Sequence, residues 1–356
     1  MDFTDKARDI RKGEELDTDK VEAYLRDVIP GLEGDLVIKQ FPGGHSNLTY
    51  QLSIGEQDFV LRRPPFGTKA KTAHDMNREF RILTVLREVF PYCPEPVAYT
   101  GDDSVMGCPF YVMKRIRGII IRRNLPSGLD LTREQMRRIF DRLVDVHVEL
   151  HAIDYRSIGL GDFGKPEGYV QRQVRGWSDR YRKARTPDAP DCEEVMAWLA
   201  EKMPPESGEA TIIHNDYRLD NVVLDAGDPT KIIGVLDWEM ATIGDPLMDL
   251  GCSLPYYGNP DDPEEELLMR SMLMPTLEGM ITREELVDLY AEKSGRSIDR
   301  VDFYCAFGLF RLGVIIQQIY YRYYHGQTQD ERFKNMVLGV TILDRAARRV
   351  IEKSNR

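Results

Sequence analysis

The spacing of hydrophobic positions changes several times along the first part of the chain. Over residues 18–29 apolar side chains recur every three or four positions, which predicts a short amphipathic helix. From 35 to 63 the pattern alternates between glycine-containing turns, as in strands. Helical spacing returns over 72–90, and two strand-like runs follow at "EPVAYTG" and "PFYVMKRI". The pattern predicts a mostly β region with one helix, whose apolar face carries Met76, Phe80, Leu83, Leu86 and Val89.

Beyond Gly118 the pattern becomes mainly helical. Thr132 and Gln135 form a capping-box pair that predicts a helix over 133–152. The stretch "IIHNDYRLDNVVLD" leads through the turn "AGDPTK" into the apolar run "IIGVLDWE", which predicts a β-hairpin. Everything after Asp245 reads as helices, and Asp245 followed by proline is typical of a helix start. We expect an α+β protein with a small β-rich domain over 1–116 and a larger helical domain over 117–356.

Composition and charge exclude several classes of partner. The 356 residues are 42% hydrophobic and 30% charged, with a formal net charge of −11. Such a surface does not attract nucleic acid or anionic lipid, so any anionic ligand must be held by a local basic cluster. The apolar run "FGLFRLGVIIQQIYY" is interrupted by Arg311 and two glutamines, which predicts a buried helix and no membrane span. Five scattered cysteines and an N-terminus without a signal pattern predict reduced thiols in the cytoplasm.

The most polar part of the chain lies between two apolar runs, at residues 214–221. It has the spacing H-x-D-x-x-x-x-N, formed by His214, Asp216 and Asn221, and Asp237 ends the next apolar strand. An aspartate and an asparagine at adjacent strand ends suit a hard cation such as Mg²⁺. A separate aspartate that is not used as a ligand can deprotonate a substrate hydroxyl. This division of roles is the catalytic-loop arrangement of phosphoryl transfer.

Several motifs, in one order, resemble the aminoglycoside phosphotransferase and choline kinase superfamily, and in particular the phosphotransferase domains associated with acyl-CoA dehydrogenases. The resemblance covers roughly residues 30–330. It implies a two-lobed protein-kinase-like fold and an ATP- and Mg²⁺-dependent transfer of phosphate to a small-molecule hydroxyl. The motifs are "FPGGHSNLTY", "DFVLRRPPFG", "NREFRILTVL", "FYVMKRIRG", "HNDYRLDNVVLD" and "VLDWEMATIGDPLMDLG".

The resemblance also implies a role for each matching residue. Asp216 would be the catalytic base, and His214 would support its loop. Mg²⁺ would be held by Asn221 and Asp237, with Glu239 as a further acid nearby. Paired glycines let backbone N–H groups approach a phosphate closely. The turn over the ATP phosphates would comprise Gly43, Gly44, His45, Ser46 and Asn47, and adenine would contact the connector Met113, Lys114, Arg115 and Ile116.

One position departs from the family pattern. Where a phosphate-contacting lysine is usual, this chain has Arg62 after Val60 and Leu61. Arginine keeps the charge and can bind phosphate through two N–H groups, although its planar fork is bulkier. We expect Arg62 to take the role of the lysine and to pair with Glu79.

Other clusters and functions stay open at the level of sequence. His147 and His151 have zinc-helix spacing, but both fall on the apolar stripe of their helix, so packing is the simpler interpretation. The basic segment 171–185 around Trp177 is either a solvated helix face or a subsite for an anionic acceptor such as a hydroxyacyl-coenzyme A thioester. Alternative functions are an aminoglycoside or choline-like kinase, a non-catalytic kinase-like nucleotide-binding protein, and a phosphohydrolase that uses His74 and Asp75.

Overall fold

The computed structural model describes residues 2–42, 47–65, 75–205 and 208–354. These residues form two compact units, which are described separately. The first comprises 1–120 together with 221–241, and the second comprises 121–220 and 242–356. The predicted hairpin therefore belongs by its contacts to the first unit, whereas the domain prediction divided the chain once, after residue 116. That boundary stays a prediction.

The first unit is built on a five-stranded antiparallel sheet with the order β1-β2-β3-β5-β4. Alternate residues of β2 are buried, as expected for a strand with one face on a core. Helix α1 begins after Asp17, whose side chain accepts from the backbone N–H of Lys20, and buries Val21 and Leu25 in the same core. The elements are α1 Thr18–Val28, β1 Leu36–Gln40, β2 Leu48–Ile54, β3 Gln57–Arg63, α2 Met76–Leu86, β4 Pro96–Thr100, α3 Asp103–Met106 and β5 Phe110–Lys114.

Helix α2 is shorter than the 72–90 segment predicted from spacing. The Asp75 carboxylate accepts from the backbone N–H of Arg78, so the helix begins at Met76. Residues 72–74 lie outside the described residues. Val89 was placed on the apolar face, but it follows the end of the helix and is 46% exposed, so this part of the prediction is wrong. Buried positions of α2 include the charged residue Glu79, which lies on the same stripe as Met76, Leu83 and Leu86.

The hairpin of the first unit consists of β7 Val222–Leu224 and β8 Ile232–Val235, which pair antiparallel as predicted. It joins the rest of the unit through Ile119, which exchanges backbone hydrogen bonds with Leu224. Gly118 is required at this junction because a Cβ there would lie 2.3 Å from the Leu224 carbonyl oxygen. Close backbone approach is one of the uses of glycine.

The second unit is mainly helical, and some of its helices begin at residues whose side chains cap them. Thr132 and Gln135 form the predicted capping box, and Asp245 caps the helix that starts with Pro246. The elements are α4 Arg133–His151, α5 Tyr169–Ala184, α6 Glu193–Glu201, β6 Thr211–Ile213, β9 Thr242–Gly244, α7 Pro246–Ser253, α8 Glu264–Leu273, α9 Arg283–Ser294, α10 Val301–Tyr324 and α11 Met336–Ser354. Together with the sheet of the first unit they confirm the α+β class.

Helix α10 contains the most apolar run of the chain. By length and composition it could cross a membrane, but 78% of its most apolar window is buried inside the protein. The prediction of a buried helix is therefore confirmed. The five cysteines form no disulfide.

Candidate active site

Arg62 lies at the centre of an acidic cluster in the first unit. It is placed on β3 opposite Thr49 and Tyr111, and its side chain is buried. Its Nε is 3.4 Å from Glu79 Oε1, so the predicted pairing is present. Its Nη2 lies 2.9 Å from Asp237 Oδ1 and 3.4 Å from Glu239 Oε2. One buried guanidinium therefore joins three carboxylates that come from distant parts of the sequence.

The charges of this cluster depend on one another. Burial raises the pKa of Glu79, and Arg62 opposes that rise. Burial alone lowers the pKa of Arg62, but the surrounding carboxylates outweigh burial and hold the pKa well above its usual value. Arg62 therefore stays cationic, as a residue that binds phosphate must.

Asn221 and Asp237 lie at the same end of the β7–β8 hairpin. Asn221 directly precedes β7 and Asp237 follows β8 by two residues, and the backbone N–H of Leu236 donates to the Asn221 carbonyl over 2.8 Å. Asp237 has a left-handed backbone, with φ of 68°, and its side chain is 33% exposed. A non-glycine residue in this region is uncommon, and such strain clusters at functional sites. Both side chains offer oxygen atoms, which fits a site for Mg²⁺.

Asn47 is the one described residue of the predicted phosphate turn. It is buried at the start of β2, and its Nδ2 donates to Glu239 Oε2 over 2.6 Å. Glu239 thereby connects the turn to the cluster around Arg62. The other four residues of the prediction, Gly43, Gly44, His45 and Ser46, lie outside the described residues.

The predicted adenine connector follows the end of β5. Met113 is buried in the sheet, whereas the exposed Lys114 forms an ion pair with Glu95. Arg115 pairs with Asp58 at 3.1 Å, and Ile116 is partly buried. These contacts fix the connector to the sheet, and its role toward adenine stays a prediction.

In the second unit, Asp249 on α7 holds the loop that carries Asp216. Its two carboxylate oxygens accept the backbone N–H groups of His214, at 2.7 Å, and Asn215, at 2.5 Å. Asn215 has a left-handed backbone with φ of 64°, which turns the chain sharply. The His214 ring is fully buried, and its Nδ1 accepts from the backbone N–H of Asp216 over 3.3 Å. These bonds agree with the supporting role predicted for His214.

The paired histidines of α4 complete this network. His147 Nε2 and His151 Nε2 each lie 3.1 Å from Asp249 Oδ2, and His151 Nδ1 lies 2.7 Å from the Tyr290 hydroxyl. All three possible metal-ligating groups are buried. The hydrogen bonds already satisfy the Asp249 carboxylate, which supports the packing interpretation over a zinc site. Burial raises the pKa of Asp249, but the two histidines outweigh burial and hold it well below its usual value.

The buried His151 makes the stability of the protein depend on pH. Burial lowers the pKa of His151 from 6.5 to about 4. As the pH falls, the unfolded chain therefore binds a proton at this histidine before the folded chain does. The free energy of unfolding should fall by about 1.4 kcal/mol per pH unit between about pH 6.5 and pH 4. The His151→Gln variant should be less stable than wild type at pH 8 because buried partners lose hydrogen bonds. The difference in free energy of unfolding between wild type and His151→Gln should shrink by about 2 kcal/mol between pH 7 and pH 5.

Urea denaturation at a series of pH values measures this difference. The control is His325→Gln, since His325 is exposed at the end of α10 and its replacement should leave the pH dependence unchanged. A His151→Gln deficit that stays constant from pH 8 to pH 5 would contradict a depressed pKa for this residue.

Asp216 projects from the supported loop, with its side chain 24% exposed. Arg218 Nε lies 3.4 Å from Asp216 Oδ1 and 3.0 Å from Asp220 Oδ1, and the guanidinium stacks over the Tyr256 ring at 4.8 Å. A partly exposed carboxylate on a fixed loop can accept a proton from a bound hydroxyl. Arg218 restricts where that carboxylate points.

The basic segment 171–185 forms most of α5, and the structure corrects one detail of the prediction. Trp177, around which the subsite for an anionic acceptor was predicted, is buried, and its Nε1 donates to Gln173. The ring lies on the buried face of α5, where packing covers it. Arg182 is paired with Glu193, at 2.7 Å, and Arg172 donates to backbone carbonyls. These two cations are exposed and already engaged.

Sequence reasoning assigned no role to two buried charged residues of the second unit. Asp249 is an acid inside an otherwise apolar helix, and that exception to the pattern was the available signal. Arg311 is likewise a single cation in an apolar run and is buried on α10. The structure gives no support to the phosphohydrolase alternative from Asp75, because the Asp75 carboxylate caps α2. His74 lies outside the described residues.

The antiparallel sheet of the first unit and the helices of the second agree with the kinase-like fold that the motifs predict. The family model described as "Phosphotransferase enzyme family" (APH) matches residues 37–280, so the chain belongs to this family. The predicted resemblance is confirmed. Among curated proteins, the chain is 33% identical over 333 residues to acyl-CoA dehydrogenase family member 11 of Gallus gallus, covering 91% of the chain but only 42% of that relative.

Solved structures confirm the kinase-like fold. A Ralstonia eutropha protein provisionally assigned as an aminoglycoside phosphotransferase is similar with a TM-score of 0.75 and 29% identity, over 94% of this chain and 99% of that one. Choline kinase from Cryptosporidium parvum has a TM-score of 0.62 and 13% identity, over 95% and 97%. A ternary complex of an aminoglycoside phosphotransferase with AMP-PNP and hygromycin B has a TM-score of 0.57 and 17% identity, over 92% and 98%. The last two show the fold alone.

Proposed function

We propose that this protein is a kinase that transfers the γ-phosphoryl group of ATP, with Mg²⁺, to a hydroxyl of a small molecule. The observation that carries the proposal is the position of Asn221 and Asp237 at one end of a single hairpin, beside a buried arginine. Carboxylate and amide oxygens next to a fixed cation are what a nucleotide triphosphate and its metal ion require. Family membership and the similar protein that binds AMP-PNP support the choice of ATP.

Each residue contributes a separate part of the reaction. Asp216 orients the acceptor hydroxyl and takes its proton as the oxygen bonds to the γ-phosphorus. The bond from that phosphorus to the bridging oxygen breaks, and ADP leaves. Arg62 and the turn at residues 43–47 hold the phosphates. Asn221 and Asp237 would hold Mg²⁺, which neutralises phosphate charge when bound. Alignment and charge stabilisation then supply most of the rate.

Asp249 gives this arrangement its precision, although it takes no part in the chemistry. It is fully buried and fixes two successive backbone N–H groups of the loop, directly before Asp216. A base held to within about 0.5 Å of its productive position is worth more than a flexible one. The loop therefore has little freedom to misplace the carboxylate.

The acceptor that we propose is a hydroxyacyl-coenzyme A thioester. The support is the similarity over 91% of the chain to an acyl-CoA dehydrogenase family member, of which the chain spans less than half. Aminoglycosides and choline-like alcohols are the alternative acceptors, because similar structures are named for them. The decisive experiment measures ADP release with each acceptor class and identifies the phosphorylated product by mass spectrometry. No product with any acceptor, despite ATP binding, would contradict the kinase proposal.

A non-catalytic nucleotide-binding protein is the second candidate, and one observation favours it. Arg62 binds Asp237 Oδ1 at 2.9 Å, so the proposed metal ligand is already engaged by a cation of the chain. An Arg62–Asp237 ion pair that serves only the structure would not need a metal ion. Magnesium dependence of ATP binding distinguishes the candidates, since the kinase requires Asp237 to hold Mg²⁺.

Arg62 variants test the phosphate-binding role directly. Arg62→Ala should weaken MgATP binding by at least about tenfold, or 1.4 kcal/mol, and should lower stability by about 3–5 kcal/mol, because it leaves Glu79 buried without its partner. Arg62→Lys should restore part of the MgATP affinity and part of the stability. Calorimetric titration with MgATP and urea denaturation measure the two effects.

Glu79→Gln is the matched control for this prediction. It removes the negative charge of Glu79 on α2, which pairs with Arg62, but keeps the arginine. We expect a smaller loss of MgATP affinity than in Arg62→Ala. Wild-type affinity in both Arg62 variants would show that the arginine serves only the ion-pair cluster.

A further inference from the structure

Arg311 is a buried cation of the second unit. Its side chain belongs to α10 and is 6% exposed. Among the residues that the structure describes, none places a carboxylate within 4.0 Å of its guanidinium or forms a hydrogen bond with it. Two other buried arginines of the same unit behave differently. Arg270 lies 2.5 Å from Asp262 and 3.1 Å from Glu266, and Arg283 lies 2.7 Å from Asp262.

An unpaired buried charge is costly and therefore calls for a physical explanation. Buried ions in proteins are normally paired and hydrogen-bonded, because the interior cannot replace the water that they lose. A guanidinium presents five N–H groups, and here the described chain satisfies none of them. A molecule that binds beside Arg311 could supply the missing acceptors.

The surroundings of Arg311 connect it with the proposed catalytic base. Its guanidinium carbon lies 5.1 Å from the centre of the Trp177 ring, over which Arg180 also lies, at 4.7 Å. Burial lowers the pKa of Arg311, but Cys252, Asp216 and two tyrosines outweigh burial and raise it above its usual value. The side chain is therefore cationic. Helix α10 packs against α7, and Asp249 of α7 holds the loop that carries Asp216, so these elements connect Arg311 with the proposed base.

We propose that Arg311 binds an anionic oxygen group, a carboxylate or a phosphate, of the acceptor whose hydroxyl is presented to Asp216. The inference rests on the proposed function and adds the residue that recognises the anionic group of the acceptor. A planar guanidinium binds either group through two parallel hydrogen bonds. Stacking on Trp177 holds the plane in a fixed orientation, which favours such binding. A hydroxy acid would bring a carboxylate, and a coenzyme A thioester would bring phosphates.

The same residue would select against cationic acceptors. An ammonium group close to an unpaired guanidinium meets repulsion that little solvent screens, since the site is buried. Aminoglycosides and choline are cations and should be poor acceptors for this reason. Specificity through repulsion of the wrong ligand is common where two acceptor classes share one fold.

The first experiment compares anionic, neutral and cationic acceptors. The acceptors are 3-hydroxybutyrate, its coenzyme A thioester, the neutral 1,3-butanediol, choline and kanamycin. Wild type should phosphorylate one or both of the first two with a kcat/KM at least tenfold above that for the diol. Arg311→Gln should raise the KM for that acceptor at least tenfold, and Arg311→Lys should recover part of the loss. In Arg311→Gln, the KM for ATP and the kcat/KM for the diol should stay within twofold of the wild-type values.

Arg180→Gln is the matched control, because Arg180 also lies over Trp177 but is exposed. It should change the KM for the anionic acceptor less than twofold. Equal effects of the two substitutions would show that Trp177 packing, and not anion binding, is responsible. Phosphorylation of only the neutral or cationic compounds would overturn the inference while leaving the proposed kinase function intact.

A binding measurement decides the matter even if no acceptor consumes ATP. Inorganic phosphate or butyrate should raise the Tm of wild type and of Arg180→Gln but leave that of Arg311→Gln unchanged. No ligand-dependent shift in wild type, or a shift of the same size in Arg311→Gln, would show that Arg311 does not bind the anion. Failure of ATP turnover would count against the kinase function alone.

Discussion

Asp237→Ala should reduce Mg²⁺-dependent ATP turnover by at least about a thousandfold, because a metal ligand stabilises charge in the transition state by several kcal/mol. Asp237 is partly exposed at the end of the hairpin, so its loss should leave the rest of the first unit folded. Alanine is strained at its left-handed backbone, whereas asparagine tolerates that conformation. Asp237→Asn should therefore lose activity with a smaller change in stability.

Steady-state ADP release over a range of Mg²⁺ concentrations measures this effect. Asp228→Asn is the control, since Asp228 lies in the turn between β7 and β8 and its carboxylate binds Thr230. That variant should keep wild-type turnover. Near-normal activity in Asp237→Ala would contradict the assignment of Asp237 as a metal ligand.

Asp216→Asn should lower kcat by about 10²–10⁴-fold, the usual contribution of a positioned general base. Asparagine has the shape of aspartate but accepts no proton, so the loop bound by Asp249 should keep its conformation. MgATP affinity should stay within about twofold of wild type, because the proposed nucleotide contacts are made by other residues. The measurements are single-turnover phosphoryl transfer to the acceptor found in the screen and calorimetric titration with MgATP.

Asp179→Asn serves as the control for Asp216, because Asp179 is an exposed acid on α5 of the same unit. It should not alter kcat. If Asp216→Asn transfers phosphate at the wild-type rate, another group must take the proton, or the proton must leave after the rate-limiting step. A large loss of MgATP affinity in Asp216→Asn would instead indicate that this residue binds the nucleotide.

The local elements were largely predictable because their signals are short-range. Alternation over β2, the capping box at Thr132 and Gln135, and the hairpin after Asn221 depend on neighbouring residues. The end of α2 was not predictable, since Val89 has an apolar side chain that tertiary packing leaves exposed. Helix periodicity gives a face but does not say where the chain leaves it.

The order and spacing of the motifs determined the family, the fold class and the candidates Asp216, Asn221 and Asp237. These are properties of the linear chain, because the loop and the hairpin are continuous in sequence. Partners across long separations were decided only by the tertiary structure. Arg62 meets Asp237 across 175 residues, and His214 meets Asp249 across 35. Whether the charge of Arg311 is paired depends on every neighbour of α10, and no local pattern carries that information. Burial and ion pairing are collective results of packing, which is why only the folded chain shows them.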